Sequence, residues 1–366
     1  MATYEIEVLS PLFVGSGQKY PPLEYLISLE EEKFVVADME RVFTSPRFVL
    51  NDFLDKVKRP GFFLGESYPW AREFPRFKFS SSRKTLMDLK IRKAEVLAPV
   101  AEGQGFYLPG SSLKGSLRTL IYKINLPEIK ETFNQKIKER LQNPRIKKEK
   151  LSEAAEMALT GTPNYSLFRA LKVGDSLPLG EESLGLYQVK VLSLTTSGYR
   201  WKVLPGEQST ADLEQATSSF FIGFKPGVKL QGSFKVEEKY LNDDNFPLVN
   251  KAFFNNWQER AKEVQRQFLQ NELKFYEEIG LEELKKFYQK LIQDSNDGII
   301  LQLGWGTGFN SKTLKEALPE EELKEVINWA KIKYRENFPF PKTRKIVVEK
   351  GKPLYPTGWI KLRILD

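Results

Sequence analysis

Gly105-Phe106-Tyr107-Leu108-Pro109-Gly110-Ser111-Ser112-Leu113-Lys114-Gly115-Ser116-Leu117-Arg118-Thr119-Leu120-Ile121 decides the fold. A short apolar strand ends at a Pro-Gly turn, and Ser111 follows where an N-cap residue is expected, its hydroxyl able to accept a backbone N–H of a new helix. Leu113, Leu117, Leu120, Ile121 and Ile124 share one helical stripe and predict a core face. Ser111, Lys114, Gly115 and Arg118 fall roughly opposite, on a small and basic face. Gly115 costs the helix about 1 kcal/mol relative to Ala, which suggests that something, such as a phosphate, approaches the backbone closely. Helix N-termini favour anions because their first N–H groups are unpaired, so a ribose-phosphate chain is a natural occupant. An ordinary turn into an amphipathic helix with solvated charges accounts for the pattern equally well. A Walker A loop does not, because Ser116 rather than Lys and then Ser/Thr follows Gly115.

A chain of 366 residues is long enough for two domains. Its 56 Lys+Arg against 48 Asp+Glu give a net charge of +8, which favours polyanionic partners. With no Cys, disulfide and thiolate chemistry are excluded. With no His, the Ser-His-Asp triad, paired-histidine ribonuclease chemistry and conventional zinc sites are excluded as well. Any hydrolysis would need carboxylates with Mg²⁺, or Lys, Tyr or Asp alone. No leader-like h-region and no apolar run of membrane-spanning length is visible, so the expectation is a soluble, cytoplasmic protein without metal or cofactor.

Alternation from Tyr4 to Leu9 predicts a half-buried strand that stops at Ser10-Pro11, and Gly15-Ser16-Gly17 then reads as a hairpin turn or ligand loop. Glu24 to Ile27 and Lys33 to Ala37 read as strands, and Met39 to Val57 as a helix interrupted at Pro46. Between Arg72 and Lys93, basic residues including Arg76, Lys78, Arg83 and Lys84 face only Glu73 and Asp88, with Tyr68, Trp70, Phe74, Phe77 and Phe79 interleaved or just upstream. Such a run can hold a single strand by phosphate neutralisation and base stacking, or it can be a surface strand with its aromatics turned to the core. Contact with RNA is preferred here, because the run leads into the Pro-Gly turn.

Pro127 to Leu141 and Lys147 to Thr160 are helix candidates of a basic insertion, read as a solvated face. Phe168 to Ser176 ends in Val173-Gly174-Asp175-Ser176, where Asp175 reads as a turn residue bonding its own backbone. Leu184 to Leu194, Tyr199 to Val203 and Val228 to Val236 are strands, and Asn250 to Ser295 is helical with a break at Gly280. In Gly304-Trp305-Gly306-Thr307-Gly308-Phe309-Asn310-Ser311-Lys312-Thr313, Phe309 stands where a dinucleotide fingerprint needs Gly, so dinucleotide binding is disfavoured. Three glycines after a buried strand do allow close approach to a ligand, and Trp305 and Phe309 could stack on bases or cover the core. Lys342 and Arg344 precede the last strands.

Pro109-Gly110-Ser111-Ser112-Leu113-Lys114-Gly115 followed by Arg118-Thr119 resembles the signature of the RAMP proteins of CRISPR systems. With the opening glycine loop, Val173 to Ser176, the second glycine loop and Gly358-Trp359-Ile360-Lys361-Leu362, the chain is most similar to the fifth-subunit family of type III-A Csm effector complexes. The resemblance implies an α+β fold of two ferredoxin-like, RRM-type domains with helical insertions, divided as 1–240 and 241–366. It implies a non-catalytic subunit that caps the filament at the 3′ region of the CRISPR RNA, abuts the repeating backbone RAMP subunit, and supports RNA maturation, apparently by recruiting host nucleases. Backbone subunits that cut RNA carry a catalytic Asp in a short loop ahead of the signature; this sequence offers only Asp88 in a long stretch. The expected RNA contacts are Gly15, Ser16, Gly17, Arg83, Lys84, Gly110, Ser111, Ser112, Lys114, Gly115, Arg118, Gly304, Trp305, Gly306, Gly308, Phe309, Lys312, Lys342 and Arg344. A His-independent endoribonuclease acting on repeat RNA, another RAMP subunit of a type III complex, and a pure protein adaptor are the alternatives.

Overall fold

The computed structural model describes residues 2–365 except 104, 144–149, 197, 205–207, 243–247 and 333–339. Arg145, Lys147 and Lys148 of the basic insertion lie outside the described residues.

The alternation at the start of the chain becomes the strand Thr3–Val8, with Tyr4, Ile6 and Val8 buried. It occupies the middle of a five-stranded antiparallel sheet, paired on one side with Trp359–Leu365 and on the other with Lys229–Val236. Ile299–Gln302 and Leu171–Ser176 form the two edges. The first and last strands are therefore neighbours, and residues from both sides of position 240 share one sheet.

A second, ten-stranded sheet is organised around Leu184–Thr195, most of whose residues are buried. This strand pairs with Ser218–Phe224, Thr343–Glu349 and Gly198–Trp201, and touches Pro75–Ser80. The architecture is α+β. The expected break in the long helical region falls at Gly280, which adopts φ +70° between the helices Trp257–Glu278 and Glu282–Asp294. Pro46 likewise separates Met39–Thr44 from Leu50–Val57.

Two expectations are corrected. Gly15-Ser16-Gly17 is no turn: it opens the strand Gly15–Tyr20, paired through a bulge with Val96–Pro99. The aromatics upstream of the signature face inward. Phe77 and Phe79 are buried, with ring centroids 5.0 and 5.6 Å from Phe106, while Arg76 and Lys78 alternate outward. Of the two arrangements open to that stretch, the core arrangement forms, because a strand paired on both sides within the sheet gains more by burying its rings on the covered face than by offering them to bases.

Candidate nucleic-acid interface

The signature helix spans Gly110–Ile124 and buries Leu113, Leu117, Leu120, Ile121 and Ile124, the stripe anticipated from spacing. Its start differs from expectation. Pro109 occupies the N-cap position, and Ser111, already within the helix, is exposed and caps nothing. The cap comes from the edge strand instead: the Gly110 N–H donates to Asp175 Oδ1 at 2.7 Å across 65 positions of sequence. Asp175 thus bonds a distant backbone rather than its own, and a carboxylate already sits at the helix N-terminus where a phosphate was expected. Ser176 hydroxyl accepts the Leu108 N–H at 2.9 Å and completes the clasp. Gly110 is required by this approach, since a Cβ there would lie 2.5 Å from the carbonyl oxygens of Val173 and Gly174.

One turn further on, the helix faces open space. A Cβ on Gly115 would meet nothing within 4 Å among the described residues, so no packing among them explains the glycine. Lys114 and Arg118 flank it on the helix, and Lys172 lies close enough to Lys114 to repel it. Lys114 Nζ donates to the Leu171 carbonyl at 2.8 Å, and its ammonium is pushed below the ordinary lysine range by burial and by repulsion from Lys172 and Arg118. Arg118 reaches Glu156 at 3.2 Å in a solvent-exposed pair, which is worth little and exchanges readily. Lys114, Arg118 and Arg169 line a cleft of about 570 Å³. Lys172, which sequence reasoning passed over, could have been found from its place on the strand carrying Asp175.

The second glycine loop docks beside this helix. Gly304, Gly306 and Gly308 have φ of +87°, +85° and +86°, and a Cβ on Gly304 would fall 2.4 Å from the Phe13 carbonyl oxygen. The Trp305 N–H donates to that same oxygen at 2.8 Å, so the loop is fastened to the segment leading into Gly15. Trp305 packs edge-on against Phe13, and Lys345 Nζ lies 3.7 Å from its ring centroid. Lys345, also missed, is pushed downward by burial and by Lys312. Lys123 of the signature helix donates to the Asn310 carbonyl at 2.5 Å, joining positions 187 apart. Arg118, Phe309 and Lys312 consequently line one cavity.

The remaining expected residues are dispersed. Arg344 makes a bidentate pair with buried Glu272, at 2.8 Å through both Nε and Nη2, and so holds the loop from behind through the Glu272–Asn310 hydrogen bond of 3.0 Å. Ser16 hydroxyl donates to the Ala98 carbonyl at 3.1 Å. Ser112 is half-buried in the first helical turn, and the Lys342 carbonyl accepts the Leu194 N–H at 2.9 Å. Arg83 and Lys84 begin the helix Arg83–Arg92 and line a separate cavity of about 630 Å³, where Lys84 pairs with Glu214. Among the described residues, no cluster of three or more carboxylates could hold a metal ion, and no helix is long and apolar enough to cross a membrane.

Residues 5–311 match the model of the RAMP superfamily, a span that holds the opening strand, the signature helix, the Asp175 clasp and most of the second glycine loop. The chain belongs to the RAMP superfamily. This RAMP protein is 24% identical to the CRISPR system protein Csm5 of Methanocaldococcus jannaschii, over 98% of this chain and 88% of the relative. Its fold is similar to a chain of a cryo-EM structure of a Csm–crRNA–target RNA ternary complex from a type III-A CRISPR-Cas system, with TM-score 0.70, 22% identity and coverage of 99% and 100%. The crystal structure of T. onnurineus Csm5 is also similar, with TM-score 0.64, 17% identity and coverage of 98% and 99%.

Proposed function

We propose that the chain is a non-catalytic RNA-binding subunit of a type III-A Csm interference complex. It caps the filament beside the repeating backbone RAMP subunit, holds the 3′ region of the crRNA in the cytoplasm, and supports crRNA maturation by recruiting host nucleases. In this reading the chain is built of two RRM-type halves, 1–240 and 241–366. The likeness to a Csm5 and to a chain of a Csm–crRNA–target RNA complex supports this reading.

The observation that carries it is the uncovered Gly115 on the helix that bears Lys114 and Arg118, with Lys172 repelling Lys114. A helix that tolerates a costly glycine with no internal use for it, beside mutually repelling cations, is suited to a close-lying polyanion that relieves the repulsion. Gly15, Ser16, Gly17, Arg83, Lys84 and Lys342 extend the contact in this proposal.

Fluorescence anisotropy with labelled single-stranded RNA tests the proposal. Log affinity should fall with log salt at about −0.7 per phosphate contacted. Salt-independent binding, or cleavage of repeat RNA by the purified chain with or without Mg²⁺, would overturn it.

A further inference from the structure

The cavity shared by the signature helix and the glycine loop encloses about 340 Å³. Phe133 and Ile137 from the helix Leu126–Leu141, Leu314 and Leu318 beyond the glycine loop, and Leu323 and Val326 from the helix Glu320–Trp329 supply its apolar walls. Three cations, Arg118, Lys312 and Lys315, lie on the same lining. Concave, largely apolar hollows with a few charged groups on their lining are where ligands bind; Arg118 and Lys312 here are exposed, and half-buried Lys315 donates to the Phe340 carbonyl at 3.3 Å.

The polar side chains of the lining are already engaged. Thr119 hydroxyl donates to the Gly115 carbonyl at 3.3 Å, Tyr122 hydroxyl pairs with Thr160 at 2.9 Å, and Thr313 hydroxyl donates to the Phe309 carbonyl at 2.9 Å. Ser152 hydroxyl donates to one oxygen of Glu156 at 2.8 Å, and Arg118 holds the other. Among the described residues the hydroxyl donors of the lining are therefore engaged, and a ligand meets chiefly apolar contact area with the cations beside it as counter-ions.

Resting on the RNA-binding reading above, we propose that this cavity receives one unstacked nucleobase of the bound strand and holds it by apolar contact, whichever of the four bases it is. Arg118 lines both this cavity and the cleft that contains Lys114 and Arg169. A strand lying along the cleft passes the cavity at Arg118, where a phosphate displaces Glu156 from its exposed pair. The adjoining base turns inward, with the next phosphate within the field of Lys312 and Lys315. Insertion of an apolar protein side chain would make no use of those three cations.

The test uses the full chain and single-stranded RNAs carrying 2-aminopurine at successive positions. One position should change its fluorescence on binding, and an abasic nucleotide there should weaken binding about tenfold, within the range of a single stacked base. Exchange among the four bases at that position should alter affinity less than about threefold. Leu318→Trp and Val326→Trp fill the cavity and should abolish the fluorescence change while leaving the salt slope intact; Leu318→Met, which keeps the volume, should behave as wild type, and circular dichroism verifies that each variant folds. A flat abasic scan, filled variants that bind and fluoresce as wild type, or a tenfold preference for one base would each overturn the cavity assignment while the RNA-binding reading stands. Filled variants that bind RNA normally but lose a protein neighbour would reassign the cavity to that neighbour. Failure of the wild-type chain to bind RNA, alone and in its assembly, would overturn both.

Discussion

The signature helix and the basic–aromatic stretch that precedes it carry similar residue types, yet they treat them in opposite ways. In the stretch, Phe77 and Phe79 enter the core, Arg92 pairs with Asp88 at 3.0 Å, Lys93 with Glu66 at 2.8 Å, and Lys84 with Glu214. Along the helix, Lys114 meets the Leu171 carbonyl rather than a carboxylate and feels the charge of Lys172 and Arg118, Arg118 reaches Glu156 at 3.2 Å, and open space lies over Gly115. A cation counts toward binding a polyanion by the counter-charge it still lacks, which composition does not report.

Phe79→Ala should produce the largest effect. Removing a fully buried ring is expected to cost about 3–5 kcal/mol, read by chemical denaturation, whereas a ring used for base stacking would leave stability unchanged and weaken RNA binding alone. The double substitution Arg118→Glu with Lys312→Glu comes next. It should weaken RNA binding by about two orders of magnitude and make the salt slope shallower by about 0.7 for each phosphate left unneutralised, whereas Arg83→Glu with Lys84→Glu should cost less because Arg83 and Lys84 line a separate cavity away from the signature helix. Equal effects from the two pairs would erase the distinction between the regions.

Gly115→Ala gives a finer discrimination. Its Cβ has room, so the helix should gain about 0.5–1 kcal/mol while RNA affinity falls, and a gain in stability with unchanged affinity would show that nothing approaches the glycine. The smallest effect concerns pH. Burial and neighbouring cations lower the Lys114 pKa in the free protein; an adjacent phosphate raises it again, so binding takes up protons on the alkaline side and affinity falls as pH rises through the lowered value. Titration at increasing pH should show this dependence in the wild type and lose it in Lys114→Met.

Much of the fold is readable along the chain because its signals are local. The stripe from Leu113 to Ile124, the alternation of Tyr4, Ile6 and Val8, and the break at Gly280 each depend on neighbours a few positions away. Ser111 reads as the cap because a hydroxyl after Pro-Gly is the local solution, whereas Asp175 supplies it from 65 positions downstream. Arg344 reads as a free RNA contact for the same reason: nothing near it in sequence announces Glu272.

Sequence alone therefore determined the residue types: a chain without His or Cys, net basic, with glycine-rich turns and a helix of one apolar and one basic face. Tertiary structure decided which of those groups remain available. Pairing of the first strand with the last, the fastening of Trp305 to Phe13 and the bond from Lys123 to Asn310 bring the signature helix and glycine loop to one cavity. Burial and charge neutralisation depend on distance in space, and only the folded chain sets which distant carboxylate, carbonyl or ring reaches each cation first.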